Sequence, residues 1–170
     1  MARDRFRLVP VGRKPIRAKH FLPVQIEGPV KFNLLGAWAK PAECRPFYVT
    51  TLFRGIAAYR DFITSSPTVF IGDLNTENFL SVSDPHMKLV DVLKREFGLV
   101  SAYHEYFGEA HGRESHHTYF DRTKQGKPYH IDYCFIPIAW LPYLHVVTVG
   151  TRRRFGHISD HVPLILEFKY

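Results

Sequence analysis

One short stretch constrains the fold of this 170-residue chain more than any other: residues 69–75, VFIGDLN. Residues 68–71 are β-branched or aromatic and follow a Ser-Ser-Pro break, a pattern that predicts a short buried strand. We expect this strand to stop at Gly72, because a glycine backbone takes conformations that other residues resist. The stretch therefore predicts a sheet protein with polar groups directly after a central strand.

Asp73 and Asn75 alternate around the apolar Leu74, so both polar side chains can point the same way at the carboxyl end of the strand. In α/β sheets, ligands sit at that end of the strands. A carboxylate beside an amide offers oxygen ligands to a hard cation and a donor to a phosphate. Glycine, aspartate and asparagine are also the usual turn residues, so the stretch by itself fits a plain turn as well.

Two later stretches place polar side chains in or beside apolar runs. Asp132 lies inside a strand pattern built for burial, residues 130–135, where an unpaired carboxylate is costly. His161 follows Asp160 and precedes the apolar residues 162–166, and such a histidine can act as a base near neutral pH. Asp132 is the natural carboxylate to accept its other ring proton. Each stretch alone also fits a loop or a structural ion pair, so the specific signal is their order.

With these motifs in this order, the sequence resembles the endonuclease/exonuclease/phosphatase superfamily of metal-dependent phosphodiesterases. The matching motifs are GDLN at 72–75, IDY at 131–133 and SDH at 159–161, and the resemblance covers residues 23–170. It implies an α/β (α+β) fold, the four-layer α-β-β-α sandwich of that superfamily. It also implies a hydrolase that cleaves a phosphate ester by activated water with Mg²⁺ or Mn²⁺, with nucleic acid among the candidate substrates.

The resemblance assigns a role to each matching residue. Asp73 would hold the metal or the attacking water, and Asn75 would contact the scissile phosphate. Asp132 would orient His161, which contacts a phosphoryl oxygen or serves as the base. Asp160 would contribute to the metal site.

Further residues are expected to contact the substrate. Trp38 stands where the family offers His or Tyr toward the phosphate, but an indole donates without titrating, so a packing role is equally open. His117 and Arg122, with His116 and Lys127, would line a phosphate-binding rim, unless they form only a polar hairpin tip.

The histidines at 104, 111, 116 and 117 also raise the question of zinc. No cysteine-rich or HExxH spacing accompanies them, so we expect surface or substrate contacts instead.

The family's N-terminal Asn and metal-binding Glu find no match upstream of Pro23. We therefore expect residues 21–170 to form one domain, roughly the C-terminal two-thirds of the family fold, after a basic arm at residues 1–20. The absent strands would leave a sheet edge and an inner face open, which a second copy or a partner would cover. A catalytically weak or inactive module that binds nucleic acid or a partner is the alternative function.

The net charge of +7 is concentrated within the first nineteen residues and at 152–154. It favours a polyanionic partner such as nucleic acid, although a solvated surface has the same composition. The sequence contains no run of about eighteen apolar residues, the length that would predict a membrane-spanning helix. Cys44 and Cys134 show no motif spacing, which predicts a reduced, cytoplasmic setting.

Periodicity and punctuation predict the remaining elements. A helix is expected over 48–65, and a second runs from an Asp84 N-cap to a Gly98 stop. The predicted strands are 21–27, 30–37, 99–103, 118–120, 131–136, 145–149 and 162–168.

Overall fold

The computed structural model describes residues 5–12, 18–40, 48–77, 84–125 and 127–169. The strands in these ranges are β1 (Arg7–Pro10), β2 (Phe21–Glu27), β3 (Phe32–Trp38), β4 (Thr68–Asp73), β5 (Leu99–Ser101), β6 (Tyr119–Asp121), β7 (Lys127–Tyr129), β8 (Asp132–Pro137), β9 (Leu144–Val149) and β10 (Leu164–Phe168). The helices are α1 (Tyr48–Ala58), α2 (Arg60–Thr64), α3 (Pro85–Phe97), α4 (Ala102–Phe107) and α5 (Arg152–Phe155). The predicted mixed α/β class is confirmed.

A six-stranded sheet in the order β1-β2-β3-β4-β8-β5 forms the centre of the fold. Strands β3 and β4 run parallel, and the other neighbouring pairs are antiparallel. Two small antiparallel sheets, β9–β10 and β6–β7, complete the described part. Within the predicted basic arm, Arg7–Pro10 is the edge strand of the central sheet and pairs with β2.

The two faces of the central sheet bury different layers. Phe21, Leu35, Phe70 and Phe135 pack on one face against the apolar sides of α1 and α3. On the other face, a cluster that includes Val69, Cys134 and Ile136 packs against β9 and β10. The described chain is thus layered as helices, central sheet and a second sheet of two strands.

Helix α3 begins and ends where its local signals predict. The Asp84 carboxylate accepts a 2.7 Å hydrogen bond from the backbone N–H of His86, and Pro85 occupies the first helical position. Gly98 ends the helix in the left-handed conformation, with φ of 64°. The other predicted helix, 48–65, is not continuous. It breaks at Tyr59, whose ψ of 18° separates α1 from α2.

The prediction of a strand over 99–103 is only partly correct. Strand β5 ends at Ser101, and Ala102 starts helix α4, which Gly108 ends in the left-handed conformation. Ala102 and Tyr103 are fully buried, so tertiary packing stabilises a short helix where the local pattern indicates a strand.

The organising strand also extends further than predicted. Strand β4 continues through Gly72 to Asp73 and pairs there with both β3 and β8. Gly72 has φ of 151° and lies so close to β3 that only a residue without a side chain fits. No helix in the described ranges is long and apolar enough to cross a membrane.

Candidate active site

Sheet register brings three of the predicted site residues side by side. Asp73, at the carboxyl end of β4, is paired with Asp132 of β8 on one side. On its other side it is paired with Trp38, the last residue of β3. Because paired residues on neighbouring strands are close, the two carboxylates and the indole share one edge of the sheet.

Asp73 and Asn75 form a hydrogen-bonded unit. The backbone N–H of Asn75 donates to Oδ1 of Asp73 at 3.0 Å, and its side-chain Nδ2 donates to Oδ2 at 2.8 Å. The same Nδ2 donates to the carbonyl of Ala39 at 3.0 Å, while Asn75 takes the left-handed conformation with φ of 48°. The stretch is therefore a turn and a polar cluster at once, and the turn fixes the orientation of the Asp73 carboxylate.

His161 is held by the carboxylate that the sequence nominates for it. Its Nδ1 lies 2.9 Å from Oδ2 of Asp132, and its backbone N–H donates to Oγ of Ser159 at 3.0 Å. The ring lies against that of Tyr119, with centroids 4.7 Å apart. An Nδ1–H that donates to a carboxylate leaves Nε2 available to a ligand. The contact is observed, whereas the catalytic roles of the pair remain predictions.

Thr118 links the chain segments that carry Asp132 and His161, although the sequence predicts only that it belongs to a strand. Its buried hydroxyl accepts hydrogen bonds from the backbone N–H groups of Ile131 and Asp132 at 3.1 and 3.0 Å. Its backbone N–H donates to Tyr129, and its carbonyl accepts from Val162, the residue after His161. Thr118 thus aligns the two chain segments that carry Asp132 and His161.

Electrostatics inside the site couple these groups. Burial raises the pKa of Asp73, and the charge of Asp132 raises it further, while hydrogen bonds from Asn75 and the proximity of His161 act in the opposite direction. The hydrogen bond to Asp132 raises the pKa of His161 despite its burial, with added contributions from the charges of Asp132, Asp73 and Asp160. The site therefore favours positive charge, on His161 or on a bound cation.

Asp132→Asn is expected to lower the pKa of His161, because it removes the first cause of the upward shift. Since a raised pKa in the folded state stabilises the fold at pH values below the unfolded pKa, that stabilisation is lost as the pH rises through the folded value. The variant should therefore lose more stability at pH 5.5 than at pH 9. NMR titration of the His161 ring and urea unfolding at both pH values measure the two effects.

Asp160→Asn is the matched control for this prediction. It also removes one negative charge near His161, but its charge is the last of the causes and it makes no hydrogen bond to the ring in the described contacts. We expect a smaller pKa change than in Asp132→Asn. Equal changes in the two variants would contradict the hydrogen-bond explanation.

The other predicted site residues are spread around this centre. Asp160 and Arg122 line one small cavity of about 30 Å³, and Arg122 donates to the carbonyl of Gly156 at 3.4 Å. Lys127 lines a different cavity, so it does not share one rim with Arg122. His117 is half-buried directly before Thr118.

Trp38 is exposed at the mouth of the site. Half of its surface, 51%, is accessible, and Nζ of Lys40 lies 3.5 Å from the centroid of its ring. This is cation–π geometry on an open surface. The Trp38 side chain is thus exposed rather than buried in the core, and contact with a substrate stays a prediction.

A cavity of about 580 Å³ opens beside Asn75. Its lining mixes three tyrosines with apolar residues, three carboxylates and one cation; the tyrosines and charged residues are Tyr48, Tyr119, Tyr129, Glu77, Asp84, Asp121 and Lys127. Because the ring of Tyr119 also contacts His161, the cavity adjoins the Asp132–His161 pair. Its volume lies in the range of small-molecule sites in proteins.

Solved structures with the same fold include nucleic-acid enzymes. The 3′ phosphatase NExo from Neisseria, solved with a product DNA hairpin, matches with a TM-score of 0.65 at 17% identity, over 97% of this chain and 80% of that chain. The AP endonuclease LMAP from Leishmania major matches with a TM-score of 0.68 at 13% identity, over 97% of this chain and 61% of that one. An AP endonuclease from Archaeoglobus fulgidus matches with a TM-score of 0.61 at 16% identity, over 87% and 65%.

The chain thus has the fold of the endonuclease/exonuclease/phosphatase class, as its motifs predict. It spans less than two-thirds of the length of the two AP endonucleases. No protein-family model matches the sequence, and no curated protein matches it.

Proposed function

We propose that the chain is a metal-dependent phosphodiesterase, a nuclease-like hydrolase that cleaves a phosphate ester with activated water. The observation that carries this proposal is the Asp132–His161 hydrogen bond beside the Asp73–Asn75 unit at the carboxyl end of β4. A phosphodiesterase needs a positioned proton carrier and groups that compensate negative charge on the phosphate. These four residues supply both at one edge of the sheet.

His161 is the proton carrier in this proposal. Asp132 holds Nδ1–H, so Nε2 accepts a proton from water or, in the protonated ring, donates to a phosphoryl oxygen. Asn75 is more constrained, because both protons of its amide are already donated, to Asp73 and to Ala39. Contact between Asn75 and the scissile phosphate therefore requires one of these two hydrogen bonds to be exchanged.

The proposed metal is Mg²⁺, with Mn²⁺ as a substitute, bound by Asp73 and Asp160. Carboxylate oxygens suit a hard cation, and a cation would offset the burial and the neighbouring charge of Asp132 that raise the pKa of Asp73. Mg²⁺ needs only one or two protein carboxylates because it retains waters and binds substrate phosphate. When bound, it supplies charge neutralisation at the phosphate.

The proposed substrate is nucleic acid. Tyrosine rings in the neighbouring cavity and the exposed Trp38 suit stacking with bases or sugars. Lys40 adds positive charge beside Trp38, whereas the cavity has three carboxylates and one lysine, Lys127. The net charge of +7 supports the same choice, as does the DNA hairpin bound to the related NExo fold. Arg122 and His117 are proposed to contact the phosphate backbone.

A second candidate function is a catalytically weak or inactive module that binds nucleic acid or a partner. Among the described residues, one group of three side chains brings its potential metal-ligand atoms within 4.8 Å of one another: His104, His111 and Glu114. The carboxylates of the candidate active site form no such group in the described ranges, which favours a weak or inactive site. Nucleic-acid binding that weakens steeply with salt, with no turnover, would favour this second function.

The remaining proposals concern the surroundings of the site. Residues 21–170 are proposed as one domain, with 1–20 as a basic arm that adds β1 to its sheet. The free, buried thiol of Cys134 supports a cytoplasmic setting. A largely apolar cavity of about 580 Å³ between the central sheet and β10, lined partly by Phe32, Leu34 and Trp140, supports coverage by a second copy or a partner. Sedimentation velocity measures whether the chain self-associates.

Hydrolysis of bis-p-nitrophenyl phosphate by the wild-type chain tests the proposed function. We expect turnover with Mg²⁺ or Mn²⁺, loss of turnover with EDTA, and recovery when metal is restored in excess. A parallel assay with labelled single- and double-stranded DNA tests the substrate class. Absence of turnover on every substrate by a folded chain would contradict the hydrolase and leave the binding module.

A further inference from the structure

A second group of reactive side chains lies outside the candidate active site. We call His104, His111 and Glu114 the His/Glu cluster, because their ligand atoms lie within 4.8 Å of one another. Tyr133, the residue after Asp132 on β8, places its ring 6.2 Å from that of His104 and 6.1 Å from that of His111. Since neighbouring residues of a strand point to opposite faces, the cluster and the Asp132 carboxylate lie on opposite sides of β8.

The cluster is largely buried, and hydrogen bonds from surrounding residues orient its side chains. His104 and Glu114 have side chains only 7% and 6% exposed, and Nε2 of His104 lies 3.0 Å from Oε1 of Glu114. On the far side of the ring, Nδ1 of His104 shares a 2.7 Å hydrogen bond with Ser101 Oγ. The backbone N–H of Gly112 reaches both carboxylate oxygens of Glu114, at 2.9 and 3.0 Å. This arrangement, in which outer partners orient each ligand, is typical of metal-binding histidines and carboxylates.

Two buried imidazoles beside the cluster carry ring nitrogens without a hydrogen-bond partner among the described residues. They are Nδ1 of His86 and Nε2 of His130, in side chains that are 0% and 1% exposed. His130 uses its other nitrogen on the carbonyl of His116, and His86 uses its Nε2 on Nδ1 of His111 at 3.0 Å. Buried polar atoms normally find partners, so these two nitrogens mark a region whose polar groups the described residues leave incompletely satisfied.

Burial and hydrogen bonding shift the pKa values of two cluster residues and of the neighbouring His86. Burial, followed by the neighbouring His104 and His86, lowers the pKa of His111 to about 2, and burial lowers that of His86 to about 4. Burial acts to raise the pKa of Glu114, but hydrogen bonds from His104 and Gly112 outweigh it and lower the pKa to about 2.

We propose that His104, His111 and Glu114 bind a divalent ion of the Zn²⁺ class, with His86 supporting His111. Two imidazoles and one carboxylate are a known zinc ligand set with an open fourth position, and imidazole disfavours Mg²⁺. His104 and His111 also line a cavity of about 390 Å³, in which the carboxylates of Asp91, Glu105 and Glu109 outnumber the one cation, Lys94. An acidic cavity of this kind gives a cation a route to the cluster.

The spacing of the ligand atoms fits a zinc ion once the His111 ring has rotated. Adjacent ligand atoms on a tetrahedral Zn²⁺ lie roughly 3.3 Å apart, given bonds of about 2.0–2.1 Å. The 3.0 Å separation of His104 Nε2 and Glu114 Oε1, a hydrogen bond without the ion, is close to that value. The ion would replace the proton between these two atoms, and the neutral ring would then carry its proton on Nδ1 and donate it to Ser101 Oγ. The rings of His104 and His111 are stacked with centroids 3.5 Å apart, so binding must turn the half-buried His111 ring out of the stack. His111 lies in the loop after α4, where such a rotation disrupts no helix or strand.

The proposed ion would fasten the segment that supports the active site. The loop that carries His111 and Glu114 leads directly to Thr118, whose hydroxyl holds the backbone of Asp132. Metal binding would thereby link α4 to this loop and restrain Thr118. The site is independent of the proposed hydrolysis, and its test does not depend on turnover.

Metal titration of the untagged chain tests the proposal. After dialysis against EDTA and its removal, Zn²⁺ is titrated by calorimetry and Co²⁺ by absorption spectroscopy. We expect one equivalent of Zn²⁺, intense Co²⁺ bands of tetrahedral coordination and a higher Tm with Zn²⁺. His111→Ala and Glu114→Gln should each weaken Zn²⁺ binding at least tenfold. Two controls, His145→Ala at an exposed histidine and Asp73→Asn in the candidate active site, should retain the affinity.

Three results would overturn the proposal: a wild-type chain without tetrahedral Co²⁺ bands, full affinity in both cluster variants, or loss of the equivalent in Asp73→Asn. The last result would assign the ion to the active site. Circular dichroism checks the fold of each variant. If a cluster variant does not fold, the wild-type Co²⁺ spectrum and the Asp73→Asn titration still decide the outcome.

Discussion

Gly72→Ala is expected to lower the free energy of unfolding by about 3–5 kcal/mol. A Cβ at this position would lie 1.8 Å from the carbonyl oxygen of Ala37 and 2.8 Å from its carbonyl carbon. Both atoms belong to the backbone of β3, so no side-chain rotation relieves the overlap. The φ of 151° at Gly72 is also one that alanine rarely adopts. The variant must separate β3 from β4 next to Asp73.

Gly36→Ala is the matched control. Gly36 precedes Ala37 on β3 and is paired with Ile71, so the two substitutions add a methyl group to adjacent positions of the same strand pair. Its Cβ would meet nothing closer than 3.6 Å, an ordinary contact. Urea unfolding followed by circular dichroism should show a change within about 1 kcal/mol for Gly36→Ala. Equal losses in the two variants would mean that the close approach of β3 and β4 does not determine the effect.

Elements that depend on local chemistry could be predicted from the sequence. Asp84 and Gly98 mark the ends of α3 because a cap and a left-handed residue act within one helical turn. The break at Tyr59 and the start of α4 at Ala102 could not be predicted in this way. Both depend on which side chains the assembled core buries, and periodicity does not carry that information.

The same distinction between local signals and long-range packing applies to the candidate site. Motifs indicate Asp73, Asp132 and His161, but the pairing of Asp73 with Asp132 follows from the β4–β8 register, for which no local signal exists. Thr118 escaped notice because its role is to accept hydrogen bonds from the backbone of a distant strand.

For His104, the expected surface or substrate contact is not a surface contact, because α4 buries the side chain. The ligands of the His/Glu cluster come from a helix and from the loop after it. They therefore follow none of the short spacings by which zinc sites are recognised in a sequence.

His161→Ala is expected to reduce the turnover of a phosphodiester by about 10²–10⁴-fold. Among the described residues, the Asp132 side chain is seen to hydrogen-bond one ring, that of His161. The substitution removes this ring, which is the proton carrier of the proposed mechanism. The bridge between His161 and Tyr119 involves the backbone and should survive, so unfolding does not account for the loss. The rate is measured with bis-p-nitrophenyl phosphate at saturating Mg²⁺, beside His157→Ala, which changes an exposed histidine four residues earlier.

The comparison with Asp132→Asn separates a catalytic histidine from a structural one. If Asp132 acts on the reaction by orienting His161, Asp132→Asn lowers turnover in the wild-type background but has little further effect when His161 is already alanine. Independent structural effects of the two residues would instead multiply in the double variant. The surviving limb of the pH–rate profile in Asp132→Asn should also move to lower pH, because the carboxylate that raises the pKa of His161 is gone. Multiplicative losses with an unmoved pH profile would remove His161 from the chemistry while leaving the fold assignment intact.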